Sequence, residues 1–293
     1  MSLTVFQPSL GGTVRDLVSL TKPRVTFLVV ATAAGGMWLA PHRSTPSAAL
    51  VALGAIALVV SSANALNCWM ERDSDRHMTR TAKRPLPAGR LDARLALGFG
   101  LALGAVAVPA LSLFVNPLTG LLGAFALVSY VWIYTPLKQR SWTALLVGAV
   151  PGALPPLMGW TAATGKLELP GVLLFGILFV WQVPHFIAIA LFRRAEYERA
   201  GILVMPSVLG ERRAKLHAVL YCAALVPLSL LLVPLGVAGR AYAVVALLIG
   251  AVFLGVCIRG LRPDAGAPWA RKLFGISLVY LTLLFAALIV DAG

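Results

Sequence analysis

Asn64-Ala-Leu-Asn67-Cys-Trp-Met-Glu71-Arg-Asp73-Ser-Asp75-Arg-His-Met-Thr-Arg80-Thr-Ala-Lys83-Arg84-Pro85 is the stretch on which the fold and chemistry of this chain turn. It starts inside a long apolar run and ends in dense charge. The whole chain of 293 residues is 59% hydrophobic and only 12% charged, against about a quarter charged in a soluble domain. So few polar side chains cannot cover a water-facing surface, which excludes a soluble globular enzyme, a disordered chain and a conventional nucleic-acid-binding domain. The fold class that remains is an all-α polytopic membrane protein, expected as a single domain over residues 1–293.

Crossing a bilayer takes about 20 mostly apolar residues. Working outward from the quoted stretch, nine runs qualify: 24–41, 48–69, 93–114, 118–136, 142–162, 170–192, 214–236, 240–259 and 271–291. With a cytoplasmic N-terminus and the C-terminus on the far side, only Arg43, Lys166 and Arg240 of the 25 Lys and Arg residues fall on the far side. The net charge of +14 is then a topology signal, since Lys and Arg collect in cytoplasmic loops, and no nucleic acid partner is implied. Of the 11 acids only Glu168 and Asp291 are on the far side. Acids contribute little to orientation, so their clustering after the second and sixth runs needs another cause. Cys68, Cys222 and Cys257 have no paired spacing and read as small apolar residues. His42, His77 and His217 fall at interfaces.

In the quoted stretch Asn67, Glu71 and Asp75 are each four apart, so at about 100° per residue they line one face of a helix end. Asp73 points elsewhere. Stacked oxygen ligands of this kind suit Mg²⁺, which takes one or two carboxylates, keeps waters and shares substrate phosphate; the cations that follow suit the same phosphate. A salt-bridged helix end serving as a topology signal is the plainer alternative. Against it, Asn67 and Glu71 continue an apolar helix, where polar groups are costly and mark function.

The second cluster is Trp181-Gln182-Val-Pro184-His185-Phe186, followed by Arg193, Arg194, Glu196, Tyr197 and Glu198. Gln182 and His185 are three apart, and Glu196, eleven beyond His185, returns to the same face if the helix runs on. A hydrogen-bonded core histidine and a functional one remain equally good readings of His185. A third segment, Tyr130 to Arg140, ends the fourth run with aromatics and cations; an aromatic belt with positive-inside anchoring explains it without function, as it does Lys22-Pro23-Arg24.

Together these motifs resemble the UbiA-type intramembrane prenyltransferases. LTKPRV near the start, NCWMERDSDRHMTRTAKRPLPAGR, YTPLKQRSW, WQVPHF and EYERAGILVMP carry the resemblance, and the last two look like the branch of the family whose acceptor is haem. Quinone-precursor or chlorophyll-type acceptors are the alternatives within the family; a secondary transporter and a haem carrier are those outside it. The resemblance implies a nine-helix bundle around a lipid-open cavity, with the active site on the cytoplasmic side; the short N-terminus favours a bacterial plasma (inner) membrane over a mitochondrial one. It implies farnesyl diphosphate, haem B and the lipid bilayer as partners, with haem A synthase or terminal-oxidase assembly as candidate protein partners, and Mg²⁺ as cofactor. By match, Asn67, Glu71 and Asp75 would bind Mg²⁺ and diphosphate, with Glu196 at the second acidic motif as a further catalytic or metal candidate. Arg80, Lys83, Arg84, Lys138, Lys22 and Arg193 would serve the diphosphate; His185, Gln182, Tyr134 and Tyr197 would stand on the haem side. Glu71 replaces the family's usual first aspartate, and the second motif lacks one of its usual two, since Phe192 lies four before Glu196.

Overall fold

Three of the long helices start where the sequence offers a side-chain cap. Thr45 accepts the Ala48 amide (3.3 Å) ahead of Pro46, and Asp92 accepts the amides of Arg94 (2.8 Å) and Leu95 (3.0 Å). Asn116 accepts the Thr119 amide (2.8 Å) ahead of Pro117. Proline at the first helical position loses no bond, and a capping oxygen satisfies one orphan amide. The Asn116-Pro117 pair therefore divides what would otherwise be one long apolar run into two antiparallel helices. Gly165, with φ +69°, closes another helix as a left-handed terminus, a conformation that costs a glycine nothing.

The computed structural model describes residues 10–41 and 44–291; His42 and Arg43, expected at the far side, lie outside the described residues. The elements in order are α1 (Leu10–Leu20), α2 (Pro23–Trp38), α3 (Pro46–Met70), α4 (Arg72–Asp75), α5 (Ala93–Phe114) and α6 (Pro117–Val128). A π-helical turn (Ser129–Tyr134) follows, then α7 (Thr135–Leu137), α8 (Ala144–Thr164), α9 (Leu169–Phe192), α10 (Arg194–Arg199), α11 (Met205–Val208), α12 (Glu211–Leu230), α13 (Arg240–Arg259) and α14 (Ala267–Asp291). Among the described residues eight helices are long and apolar enough to cross a membrane, or nine if the α1–α2 pair, bent by 44°, is one span. The first run, expected to begin at 24, is thus preceded by a further helix, and α2 alone has 16 residues, or about 24 Å.

Successive long helices are neighbours around the bundle: α2 on α3, α3 on α5, α5 on α6, α6 on α8, α8 on α9, α9 on α12, α12 on α13 and α13 on α14, with α14 returning to α9 and α2. One hydrophobic cluster joins α2, α3, α5 and α8; a second joins α8, α9, α12, α13 and α14. Outward residues such as Phe27, Leu50, Leu113, Leu121, Leu220 and Val252 are apolar and exposed, as lipid contact requires. The two far-side acids serve the fold: Glu168 accepts from the Trp160 indole (2.9 Å), and Asp291 accepts the amides of Gly239 and Tyr242, capping α13 from α14.

Candidate active site

The site is built where α3 stops. The Glu71 amide bonds to the Asn67 carbonyl (2.9 Å) and the Asp75 amide to the Glu71 carbonyl (2.8 Å), so helical phase crosses the break although Glu71 itself leaves helical geometry (φ −88°, ψ 3°). Asn67, Glu71 and Asp75 stay on one face. Asn67 and Asp75 are each 1% exposed, whereas Asp73 is open to solvent beside Arg72 and Arg76.

Every member of the trio meets a cation from a different segment. Lys22 Nζ donates to Asn67 Oδ1 (3.1 Å), Lys138 Nζ to Glu71 Oε1 (2.8 Å) and Arg84 Nη1 to Asp75 Oδ2 (2.7 Å). Because Asn67 Oδ1 accepts from Lys22, its Nδ2 is free to donate to Thr135 Oγ1 (3.2 Å). Lys22 sits in the α1–α2 bend at φ +49°, the one non-glycine residue with positive φ among those described. Asn64 braces that bend by donating to the Thr21 carbonyl (3.3 Å) and Thr26 Oγ1 (3.4 Å). Backbone strain of this kind collects at functional sites.

Electrostatics follow from these contacts. Burial alone would raise the Glu71 pKa, but the Lys138 ammonium outweighs it and holds the carboxyl below the usual range. Burial opposes the charge on Lys138, yet Tyr134, whose ring lies 4.4 Å from Nζ, and Glu71 raise its pKa well above the ordinary value. Tyr197 is pushed up chiefly by burial; Tyr134, Arg80, Lys138 and Arg193 are all close enough to influence it. Tyr134, assigned from sequence to the acceptor side, therefore stands beside Lys138, and Tyr197, assigned with it, lies within electrostatic reach of the same ammonium.

A cavity of about 640 Å³ opens next to the trio, with Arg15, Lys22, Arg80, Lys83, Arg84 and Arg90 in its wall and Asp16 as its only acid. Such a concentration of cations suits a multiply charged anion. A smaller cavity of about 180 Å³ touches Glu71, Thr135, Lys138 and Ile202. The amide of Leu203 donates to the Lys138 carbonyl (2.9 Å), tying the loop after α10 to the site.

The Trp181–Phe186 part of the second cluster does not join the first, whereas Tyr197, beyond the end of α9, lies within electrostatic reach of Lys138. Helix α9 passes through Pro184 but stops at Phe192, with Arg193 at φ −113°, ψ 16°; the expected alignment of Glu196 with His185 along one continuous helix is thereby corrected. Glu196 pairs with Arg193 (3.1 Å). Gln182 donates to the carbonyls of Ala149 (3.1 Å) and Leu178 (3.2 Å), which packs α9 on α8. His185 Nδ1 lies 2.8 Å from Ser277 Oγ in α14.

Asn67, Glu71 and Asp75 offer only hard oxygen donors, the chemistry of Mg²⁺. Among the described residues no group of three or more His, Cys, Asp or Glu side chains converges into a protein-only metal cage. Two carboxylates and an amide fit a metal shared with phosphate, because Mg²⁺ keeps most of its positions for waters and substrate oxygens.

The family model for the UbiA prenyltransferase family matches residues 28–285. The chain belongs to this family. A relative from Myxococcus xanthus (strain DK1622) named Protoheme IX farnesyltransferase is 53% identical over 283 residues, covering 97% of this chain and 96% of its own length. A solved structure described in work on digeranylgeranylglyceryl phosphate synthase in membranes superposes with a TM-score of 0.83 at 17% identity, covering 96% of this chain and 98% of that one. A UbiA homolog from Archaeoglobus fulgidus bound to GPP and Mg2+ superposes with a TM-score of 0.69 at 17% identity, covering 93% of this chain and 99% of that one. At such identities the structures show the UbiA fold.

Within this UbiA bundle several site residues escaped the sequence reading. Asn64 was legible, since it lies three before Asn67 in the same apolar helix. Thr135 and Ser277 were not, because small hydroxyls are ordinary in membrane helices and only space supplies their partners. Arg15 and Arg90 read as topology charges until α1 and the loop after α4 folded around one cavity.

Proposed function

We propose that this chain transfers the farnesyl group of farnesyl diphosphate, with addition of water, to a vinyl group of haem B, giving haem O and diphosphate. The observation that carries the prenyl-transfer chemistry is the buried Asn67-Glu71-Asp75 face with its three cations, set beside a basic cavity. Supporting the acceptor is the 53% identity, over nearly the whole chain, to a relative named Protoheme IX farnesyltransferase.

Asn67, Glu71 and Asp75 would hold Mg²⁺, which when bound neutralises charge on the departing diphosphate. The Mg²⁺-bound homolog supports this assignment. Lys22, Lys138, Arg80, Lys83 and Arg84 add fixed positive charge where the leaving group accumulates negative charge, and Arg193 adds to it from the second cluster. Glu196, through Arg193, keeps that guanidinium in place. The allylic C–O bond breaks with its electron pair going to diphosphate. The terminal vinyl carbon then forms the new C–C bond, and a water adds to the carbon left cationic beside the porphyrin, losing its proton to solvent. Apolar helix faces exclude water until the C–C bond has formed. His185 and Gln182 stand on the haem side, while Tyr134 and Tyr197 line the approach to Lys138. Both substrates are lipid-soluble in their larger parts and diphosphate is not, so a site at the cytoplasmic face of a bacterial inner membrane suits all three. Haem O would pass on to haem A synthase or to terminal-oxidase assembly.

The test is to incubate purified protein with haem B, farnesyl diphosphate and Mg²⁺ and to look by mass spectrometry for the farnesyl-plus-water adduct. A Mg²⁺-dependent haem O peak, lost in Glu71→Gln and Asp75→Asn, is expected. Farnesylation of another acceptor in its place would discard the haem assignment.

A further inference from the structure

The proton of Ser277 determines what His185 can do. Ser277 Oγ donates to the Phe274 carbonyl, one turn back in α14, at 2.6 Å. A hydroxyl has one proton to give, so toward His185 Nδ1, 2.8 Å away, the same oxygen must accept. Nδ1 therefore carries the hydrogen, and in the neutral ring Nε2 keeps its lone pair.

The ring is also fixed in orientation. Trp181 stacks on it with centroids 4.7 Å apart and planes 25° apart, Phe274 lies tilted at 4.9 Å, and Phe186 meets it edge-on at 5.5 Å. Trp181 itself donates to the Ser277 carbonyl (2.8 Å), locking α9 to α14 at this level. Among the described residues no fully buried side-chain nitrogen or oxygen lacks a partner. Nε2, which has no hydrogen bond, is therefore on the accessible edge of the ring. A neutral imidazole with one nitrogen bonded as donor, the other bare and the ring clamped is the arrangement of a metal-ligating histidine.

Its surroundings suit a flat apolar ring with an anionic end. His185 lies seven residues before the end of α9, about 10 Å inside by helical rise. The aromatic face continues from Phe274 to Phe192 (5.9 Å) and ends under the guanidinium of Arg271, 5.9 Å from the Phe192 ring. Such a face presents aromatic carbon to a porphyrin and a cation to its propionates at the water boundary.

We propose that haem B docks against the α9–α14 face with His185 Nε2 as axial ligand to its iron, and that Ser277 is a positioning residue that holds the ligating tautomer. The inference rests on the haem reading above. One Fe–N bond forms, no electron moves and the ring proton stays on Nδ1. Ligation contributes no bond to prenyl transfer; it fixes which edge of the porphyrin faces the cationic site.

Purified protein in micelles, titrated with haemin, tests this by the Soret band and by electron paramagnetic resonance, alongside haem O formation by mass spectrometry. Wild type should shift the Soret band. His185→Ala should lose the shift and regain it with added imidazole. Ser277→Ala should weaken haemin binding about 10- to 100-fold, the usual effect of removing a ligand's hydrogen-bond partner, and Ser277→Thr should restore it. An unshifted affinity in Ser277→Ala, or an unchanged spectrum in His185→Ala, overturns the proposal. Wild type labelled with ¹⁵N-histidine needs no variant: hyperfine coupling to a histidine nitrogen supports ligation and its absence overturns it. Protein that makes haem O without perturbing the Soret band sinks the ligation alone; protein that ligates haemin but makes no haem O sinks the reaction alone.

Discussion

Glu71 and Lys138 set each other's charge across 2.8 Å, and the pH dependence of the site follows. The Glu71 pKa is depressed in the folded chain, so its stabilisation is present above the ordinary carboxylate value of 4.5 and is lost as pH falls through the folded value. The Lys138 pKa is raised, so its contribution is complete below the ordinary 10.5 and is lost only as pH climbs through the higher folded value. The melting-temperature difference between wild type and Glu71→Gln should therefore be flat from about pH 6 to about pH 9 and shrink below about pH 4. A difference that varies across the neutral range would contradict the pairing. Lys22 offers a separable test. Its left-handed backbone costs a residue with a Cβ about 1–2 kcal/mol, so Lys22→Gly should unfold at higher temperature than Lys22→Ala. Neither variant keeps the amine that faces Asn67, and both should lose prenyl transfer about tenfold or more. Equal melting temperatures would mean that the bend is not strained.

At the scale of elements, helices α2 and α8 come closest where two glycines meet backbone. A Cβ on Gly36 would stand 2.0 Å from the Pro156 carbonyl oxygen, and one on Gly159 would stand 1.8 Å from that of Ala33. Neither neighbour is a flexible side chain, so Gly36→Ala and Gly159→Ala should each destabilise by about 1–3 kcal/mol, the usual cost of overpacking. Gly54, with open space around it, should gain from the same change. Thermal unfolding in one detergent compares all three, and equal losses would argue against the close crossing. These contacts also show what the sequence could carry. The four-residue spacing of Asn67, Glu71 and Asp75 survives because backbone bonds bridge the end of α3, and a run of apolar residues marks a span whatever its neighbours. The bend at Lys22, the stop of α9 at Phe192 and the π-turn at Ser129–Tyr134 were illegible, because each depends on packing against another segment. Just after the π-turn, Thr135 Oγ1 donates to the Tyr130 carbonyl (2.8 Å) while accepting from Asn67 (3.2 Å). Thr135→Val keeps the shape but leaves the buried Asn67 N–H without its acceptor, at a cost of about 1–3 kcal/mol. A variant as stable as wild type would show that this bond is replaceable.

The whole molecule has one polar end and one apolar body, and its orientation decides which compartment the cationic cavity faces. Lys and Arg favour the cytoplasmic side of a membrane, and the cavity wall holds Arg15, Lys22, Arg80, Lys83, Arg84 and Arg90. At the opposite end the described loops are poor in cations: Gly165 to Glu168 contains only Lys166, and the turn before α13 leads to Arg240. Three spans, Ala93–Phe114, Pro117–Leu137 and Ala144–Thr164, separate Ala88 from Lys166, so if each crosses, the two positions must lie on opposite sides. Both positions are exposed, and the native cysteines Cys68, Cys222 and Cys257 are all buried, so an introduced thiol reports without background. In intact cells a membrane-impermeant maleimide should label Lys166→Cys directly and Ala88→Cys only after the membrane is permeabilised. The reverse pattern would place the cationic cavity on the outer face, away from a cytoplasmic supply of prenyl diphosphate. Labelling of both positions from outside would mean that the three spans between them, Ala93–Phe114, Pro117–Leu137 and Ala144–Thr164, do not all cross, and the count of spans would fall accordingly.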